Sequence, residues 1–288
     1  MDNFPVDYQP VRYPFFGVRS TVSGVGTNIT RALSTLGDDV TLLSIIGQDF
    51  ASDLVRKEFQ SFGLGDEFIL SSIQQTAQSV ILYDGGGRRL INTDLKDIQQ
   101  QSYPIELFQM AADRSKIVVL CNINFSRPLL EIARQAGKII ATDVHAISSL
   151  EDTYNRDFMA AADILLMSDE LLPEPPADFA LKVADEFGTS ILVIGMGSNG
   201  ALLYQSATGR FEHIPAVNPR PIVSTIGAGD ALFACFLHYI ARGFAPPEAL
   251  GRAVVFAGYK IGVSGAAEGF LEESGLEELY LTYQKVNR

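Results

Sequence analysis

Cysteine and histidine are scarce in this chain, and basic residues are outnumbered by acidic ones. Two cysteines and three histidines stand among 288 residues. Cys121 and Cys235 both lie in apolar runs and read as buried thiols of a reducing compartment, which excludes a disulfide scaffold. His213 and His238 are isolated in the sequence, and the absence of a Cys/His cluster argues against a zinc site. Lys and Arg total 22 against 34 Asp and Glu, a net charge of −12. That balance argues against a nucleic acid or an anionic membrane as the main partner. It leaves an anionic small molecule open, because local backbone N–H groups hold phosphate against the global field. No apolar stretch is long enough to span a bilayer, and no basic-then-apolar leader opens the chain, so the expectation is a cytoplasmic protein.

What is present is the composition of a folded protein, 47% hydrophobic and 19% charged, at a length that builds one large α/β domain with a small appendage. The first 22 residues carry Phe4-Pro5-Val6-Asp7-Tyr8-Gln9-Pro10-Val11-Arg12-Tyr13-Pro14-Phe15-Phe16, whose prolines and aromatics exclude a helix and predict extended, partly exposed strands. Such an arm covers a ligand, covers a partner subunit, or packs on its own domain. A helix follows in which Ile29, Ala32, Leu33 and Leu36 share one face and Gly37 supplies the stop. Val40 to Ile46 reads as a buried strand, and the next helix carries Val55, Phe59 and Phe62 in register. Ser79 to Tyr83 and Arg88 to Ile91, around Asp84-Gly85-Gly86-Gly87, read as a β-hairpin that interrupts the alternation.

Strands at 116–121, 138–143, 163–167 and 190–194 then alternate with helices at 128–135, 152–161 and 177–187, the pattern of a parallel sheet covered on both faces. Ligands in such sheets bind beyond the carboxyl ends of the strands, where Asp143, Ser168-Asp169-Glu170 and Gly195-Met196-Gly197-Ser198-Asn199-Gly200 fall. A second hairpin, 201–205 with 211–214, and helical segments 247–263 and 276–286 complete the expected order.

The most informative stretch is Ser224-Thr225-Ile226-Gly227-Ala228-Gly229-Asp230, which runs into the apolar helix Ala231-Leu232-Phe233-Ala234-Cys235-Phe236-Leu237. A helix N-terminus carries unpaired N–H groups and partial positive charge, and glycines let an anion approach them. Asp230 in the first turn then borders any bound phosphate. The same pattern is also ordinary capping of a helix by an acidic residue. The early stretch Ser23-Gly24-Val25-Gly26-Thr27-Asn28-Ile29-Thr30 repeats the pairing of glycines with a helix start.

These two stretches, about 200 residues apart in order, resemble the two signatures of the ribokinase (PfkB) family of sugar and nucleoside kinases. The resemblance covers nearly the whole chain. It rests on Gly24, Gly26, Asn28, Thr30, Gly37 and Gly47 early, and on Ser224 to Leu237 late, with Ser23 and Cys235 as local departures. It implies an α/β fold, a ribokinase-like three-layer αβα sandwich with a mainly parallel central sheet and a small β-lid. Residues 1–288 would form a single domain, with the lid built from about 3–22 and 74–96. It further implies an ATP-dependent kinase acting on a hydroxyl of a sugar or sugar-like acceptor, with a nucleoside acceptor or a ligand-binding, scaffolding role as alternatives. Asp230 would be the base, and Gly227, Ala228 and Gly229 the anion hole. Asp2, Gly24, Gly26 and Asn28 would bind the acceptor, and Thr225, Gly197, Ser198 and Gly200 the nucleotide phosphates. The segment 258–267 would border the adenine, and a homodimer would form through the lid.

Three positions leave the family pattern. The family opens with an apolar strand before its first acidic residue, whereas this chain reads Met1-Asp2 at once, so either the start is placed late or a sheet strand has been lost. Loss would expose a strand edge and leave Asp2 at a frayed terminus. The metal-associated Asn-x-x-Glu motif is replaced by Ser168-Asp169-Glu170-Leu171, leaving Asp169 or Glu170 to serve Mg2+ through water or to form a solvated helix start. The usual Asp at the head of the second signature is Ser224, which weakens the case for a monovalent-cation site. His145 and the Arg88-Arg89 pair are secondary candidates: a loop residue near the acceptor, and a solubilising hairpin pair that reaches a phosphorylated acceptor in the alternative reading.

Overall fold

The computed structural model describes residues 8–83 and 89–286. Helix α1 (Val25–Thr35) is amphipathic as its spacing predicts, burying Ile29 and Ala32 together with the polar Asn28 and Thr30. Strand β1 (Ser44–Ile46) leads to α2 (Phe50–Ser61), whose N-cap Asp49 accepts from the Ser52 N–H, and then to β2 (Ile69–Ser71). The expected strand at 40–46 is therefore shortened to its last three residues. The hairpin is present as β3 (Gln78–Tyr83) and β4 (Arg89–Asp94), with the register Ser79 opposite Thr93 and Ile81 opposite Ile91. Its turn and Arg88 lie outside the described residues.

Helix α3 (Ile105–Ala112) and strand β5 (Ile117–Val119) follow, then α4 (Leu129–Gln135), β6 (Ile139–Ala146) and α5 (Arg156–Ala161). Helix α5 starts four residues later than the sequence suggests. Asp152 accepts from the N–H groups of Tyr154 and Asn155, a side-chain turn that competes with the helix. Strand β7 (Ile164–Ser168), helix α6 (Pro176–Phe187), strand β8 (Ile191–Gly195) and the hairpin β9 (Ala201–Gln205) and β10 (Arg210–Ile214) come next. Helices α7 (Ala228–Ala241), α8 (Pro246–Lys260) and α9 (Glu273–Val286) close the chain.

Six strands form the main sheet in the order β10-β9-β8-β7-β6-β5, parallel from β5 to β8 and antiparallel at β9 and β10. Side chains alternate between its two faces. Ile164, Leu166 and Val193 enter one core with α1, α7, α8 and α9. Leu165, Met167, Leu192 and Ile194 enter the other with α3, α4, α5 and α6. The result is the three-layer αβα sandwich. Helix α7 is apolar all round because it lies in the middle of the first core, with ten of its residues buried in an unbroken run from Asp230 to Tyr239.

A smaller parallel pair, β1 with β2, packs on α2 through Ile46, Phe59 and Ile69. Among the described residues no strand joins the outer edge of β5 or the second edge of β1, and both segments line one cavity. The hairpin β3–β4 pairs only with itself, and residues 8–24 contain no strand. The described part of the aromatic arm expected as strands is instead irregular, with Phe15 and Phe16 exposed, because Pro10 and Pro14 offer no ladder donors. No described helix is long and apolar enough to cross a membrane.

Phe236 in α7 is fully buried between the sheet and α8, and its truncation tests the centrality of that helix. Phe236→Ala is expected to cost about 3–5 kcal/mol, read as a lower urea midpoint with unchanged slope.

Candidate active site

A continuous cavity of 3620 Å³ takes in the carboxyl ends of the parallel strands and extends between β1 and β5 toward the far end of α7. Into it project Asp143 and His145 from β6, Asp169 and Glu170 after β7, and the Gly197–Gly200 turn after β8. The N-terminal turns of α1 and α7 face it, bringing Gly24, Gly26 and Asn28 together with Thr225, Gly227, Ala228, Gly229 and Asp230. Thus two stretches 200 residues apart in sequence share one wall, and the packing of α1 on α7 is what joins them. Asp2 lies outside the described residues.

The junction at α7 is built by close approach. Gly227 is the N-cap in left-handed conformation, φ +74°, and a Cβ there would fall 2.5 Å from the Ala266 carbonyl oxygen. Ala228 N–H closes the turn on the Thr225 carbonyl at 3.2 Å. Of the three expected anion-hole residues, Gly227 and Gly229 have N–H groups with no acceptor among the described residues, whereas that of Ala228 is engaged. Gly200 is fixed in the same manner, since a Cβ there would meet the Ile214 carbonyl oxygen at 2.0 Å.

Asp230 is 9% exposed. Its Oδ2 accepts a 2.6 Å hydrogen bond from Asn28 Nδ2, and Asn28 Oδ1 in turn accepts from Ser23 Oγ at 3.1 Å. Burial pushes the Asp230 carboxyl up to about 6 from an ordinary 3.8; the Asn28 bond opposes that, the Asp143 carboxylate adds to it, and His145 and Lys260 oppose it. Asn28, expected at the acceptor, is therefore also the residue that orients the carboxylate.

His145 sits at φ +58°, strained for a residue with a Cβ, where β6 departs from regular register beside β7. Its N–H bonds the Asp143 carboxylate at 2.8 Å, and its ring Nδ1 lies 3.4 Å from the other carboxylate oxygen. Burial works against the charged ring, but the Asp143 carboxylate outweighs it, with help from Asp230, and raises His145 to about 9. The site at neutral pH is accordingly a set of alternating charges around Asp230. Cys121, also on this wall, is held as an inert thiol near 12 by burial and by the Asp230 and Asp143 carboxylates.

Other candidates find structural employment. His213 bonds the Asn199 carbonyl at 2.8 Å and so steadies the Gly197–Gly200 turn. His238 is not isolated: its ring lies between Asp38 at 2.7 Å and Glu273 at 3.4 Å, at the far end of α7. Among the described residues no three His, Cys, Asp or Glu converge to hold a metal by themselves. Leu171, which stands at the acidic position of the metal motif, is exposed. Asp169 and Glu170 remain on the cavity wall, a hard-oxygen pair that fits a hydrated divalent cation. The segment 258–267 reaches the cavity through Gly258, Ile261 and Ser264–Ala266.

Two residues enter that sequence reasoning undervalued. Arg89 of the hairpin reaches across to Thr225 Oγ1 at 3.0 Å. Lys260, at the end of α8, is wholly buried with its ammonium on the Ile226 and Gly265 carbonyls. Only the abrupt Gly-rich segment after Lys260 marks the place in sequence.

The raised Asp230 carboxyl carries a stability sign. The unfolded group titrates near 3.8 and the folded group near 6, so the fold binds the extra proton between them and loses stability as pH rises through that window. The penalty is fully present above the folded value, at roughly 3 kcal/mol. Asp230→Asn is expected to be the more stable protein at pH 8 and level with wild type near pH 4, by urea denaturation. A less stable variant at pH 8 would contradict the buried-charge account.

The pfkB family carbohydrate kinase profile matches residues 8–273. A 1-phosphofructokinase of Borreliella burgdorferi is 23% identical over 76% of this chain and 74% of its own length. An acarbose 7(IV)-phosphotransferase of Actinoplanes sp. is 22% identical over 94% and 90%. The solved structure of the microbiome-derived acarbose kinase Mak1 covers 97% of this chain and 93% of its own, with a TM-score of 0.86 at 24% identity. That similarity shows the ribokinase-like fold. The profile match takes in every site residue named above except Asp2, and on it the chain belongs to the pfkB family of carbohydrate kinases.

Proposed function

We propose that this kinase transfers the γ-phosphoryl group of ATP to a hydroxyl of a sugar or sugar-like acceptor, with Asp230 as base. The observation that carries the reading is the buried Asp230 carboxylate in the first turn of α7, beside two uncommitted N–H donors and clamped by Asn28. The Asn28 bond uses Oδ2 and leaves Oδ1 to accept from an incoming hydroxyl.

The chemistry follows from the acidities. A sugar hydroxyl is roughly as weak an acid as bulk water, about 10 pKa units above Asp230, a gap of about 14 kcal/mol. Deprotonation before attack is therefore excluded. In a loose transition state the hydroxyl becomes acidic as its bond to phosphorus forms, so Asp230 orients it and takes the proton late. The Gly227 and Gly229 N–H groups meet the charge developing on the equatorial oxygens, at the positive end of α7. The Gly197–Gly200 turn and Thr225 border the remaining phosphates. Magnesium, when bound with the triphosphate, supplies charge shielding, and Asp169 and Glu170 are the residues that would hold its water shell.

The acceptor class follows from the relatives. The 1-phosphofructokinase and the acarbose phosphotransferase carry sugar acceptors in their names, which favours a carbohydrate. Phe15 and Phe16, which a nucleoside base would need as a stacking surface, face solvent. Arg89, bonded to Thr225 Oγ1, adds one cation at the rim beside the phosphate-binding loop.

An ADP-release assay over sugars, sugar phosphates and nucleosides tests the reading. Asp230→Asn is expected to bind ATP normally and lose about 10³-fold in kcat. Wild-type kcat/KM is expected to rise as pH climbs through about 6, where Asp230 ionises. Near wild-type turnover in the variant would remove Asp230 from the role of base, and no turnover with any acceptor would leave a binding protein.

A further inference from the structure

The most unusual group in the molecule outside the reacting atoms is Lys260, a lysine with 0% exposure. Burying an ammonium is costly unless its donors are met. Here they are met by main chain: Nζ donates to the Ile226 carbonyl and, at 2.6 Å, to the Gly265 carbonyl. These two carbonyls belong to the two loops that meet behind the anion hole. Ile226 immediately precedes Gly227, and Gly265 precedes Ala266, whose carbonyl oxygen sits against the Gly227 α-carbon. One ammonium thus clamps the backbone on which the phosphoryl-binding donors are mounted.

The peptide joining Ile226 to Gly227 gives the clamp a direction. In a trans peptide the carbonyl and the following N–H point opposite ways across one plane. A cation on the Ile226 oxygen therefore draws electron density away from the Gly227 N–H, which is one of the two free donors. It also holds that N–H turned away from Lys260. The arrangement is that of a cation bound by backbone carbonyls, except that the cation is covalently tethered to α8. At the head of the same stretch stands Ser224, whose hydroxyl accepts from the Ile226 N–H at 3.3 Å and offers no negative charge to a free ion.

We infer that the Lys260 ammonium is a built-in monovalent cation, a positioning residue that fixes and polarises the anion-hole backbone so that phosphoryl transfer proceeds without potassium or sodium. A free potassium ion does not fit this site, because both carbonyls it would share are already taken by a fixed positive charge. The charged and titratable groups facing Lys260 are Asp230 from α7, Glu268 from the loop after α8, and Arg220 from the segment before Ser224. Burial lowers the ammonium to about 8, against the pull of Asp230 and Glu268 and with the push of Arg220. It is charged at neutral pH and discharges just above it, so turnover should decline as pH rises through about 8, giving a bell with the Asp230 limb.

This inference rests on the phosphoryl-transfer reading of the loop, and the test separates the two. Wild type is compared in potassium chloride and in tetramethylammonium chloride at equal ionic strength, by ADP release with the best acceptor and by thermal melting. Ionic screening is then the same in both, and the expected result is rates within about twofold and equal melting temperatures. Lys260→Met, which keeps volume and removes charge, is expected to change the KM for ATP by less than about threefold, to lower kcat by about 100-fold, and to lose the alkaline limb. Lys260→Ala opens the pocket to a free ion, and potassium or ammonium is expected to restore part of kcat and to raise its melting temperature. Crystals of Lys260→Ala grown with rubidium should show anomalous density between the Ile226 and Gly265 oxygens. Wild-type turnover that collapses without potassium, or Lys260→Met with wild-type kcat and an intact alkaline limb, overturns the inference. If no acceptor is turned over, the melting and rubidium arms decide alone, and a pocket in Lys260→Ala that takes up no ion overturns it.

Discussion

A carboxylate forced into the first turn of an apolar helix is the constraint on which the site depends. Helix α7 belongs in the middle of a core, so its first turn brings Asp230 into low-dielectric surroundings where its charge is penalised. The Asp143 carboxylate adds to that penalty, and four neighbours answer it: the Asn28 amide, the helix N-terminus, the imidazole of His145 and the ammonium of Lys260. A carboxylate so placed titrates closer to neutrality than one on the surface, and that improves its match to a late proton transfer. The core thus supplies both the stability of the sandwich and the raised basicity of the carboxylate proposed as base.

Much of this was legible before the fold was known, for a physical reason. Glycine followed by a helix start is a local pattern, and the chemistry of Gly24–Asn28 and Gly227–Asp230 lies within a single turn each. The parallel sheet was equally visible, since buried strands such as Ile164–Met167 and Ile191–Ile194 are continuous apolar runs between helices. What escaped was whatever depends on distance along the chain. Lys260 in the last turn of a helix reads as an ordinary favourable charge near the carbonyl end, and nothing local shows that Ile226, 34 residues away, receives it. Arg89 reads as a solubilising residue on a hairpin until the hairpin folds over Thr225, 136 positions on. The arm failed in the other direction: its prolines and aromatics suggested extended strands, yet described residues 8–24 contain no strand.

The altered metal motif acquires a plainer meaning in this setting. Leu171 points to solvent, so the substitution of an acidic residue there removes a charge without building an apolar contact. The neighbouring Asp169 keeps a carboxyl raised by burial, with Glu170 adding to the shift. The rim therefore retains negative charge near the expected triphosphate even though the residue order differs from the family pattern.

The two unjoined strand edges have a mechanical consequence. Backbone hydrogen bonds tie β5 to the main sheet and β1 to β2, and none bridges β1 and β5 among the described residues. The body made of β1, β2 and α2 has a small core of its own in Ile46, Phe59 and Ile69. A ladder of main-chain bonds resists shear steeply, whereas packed side chains yield by small sliding steps. Among the described residues the seam between β1 and β5 carries no such ladder, and Asn28 lies on the helix that contacts both α7 and α2, placed where any slip along the seam would be felt at Asp230.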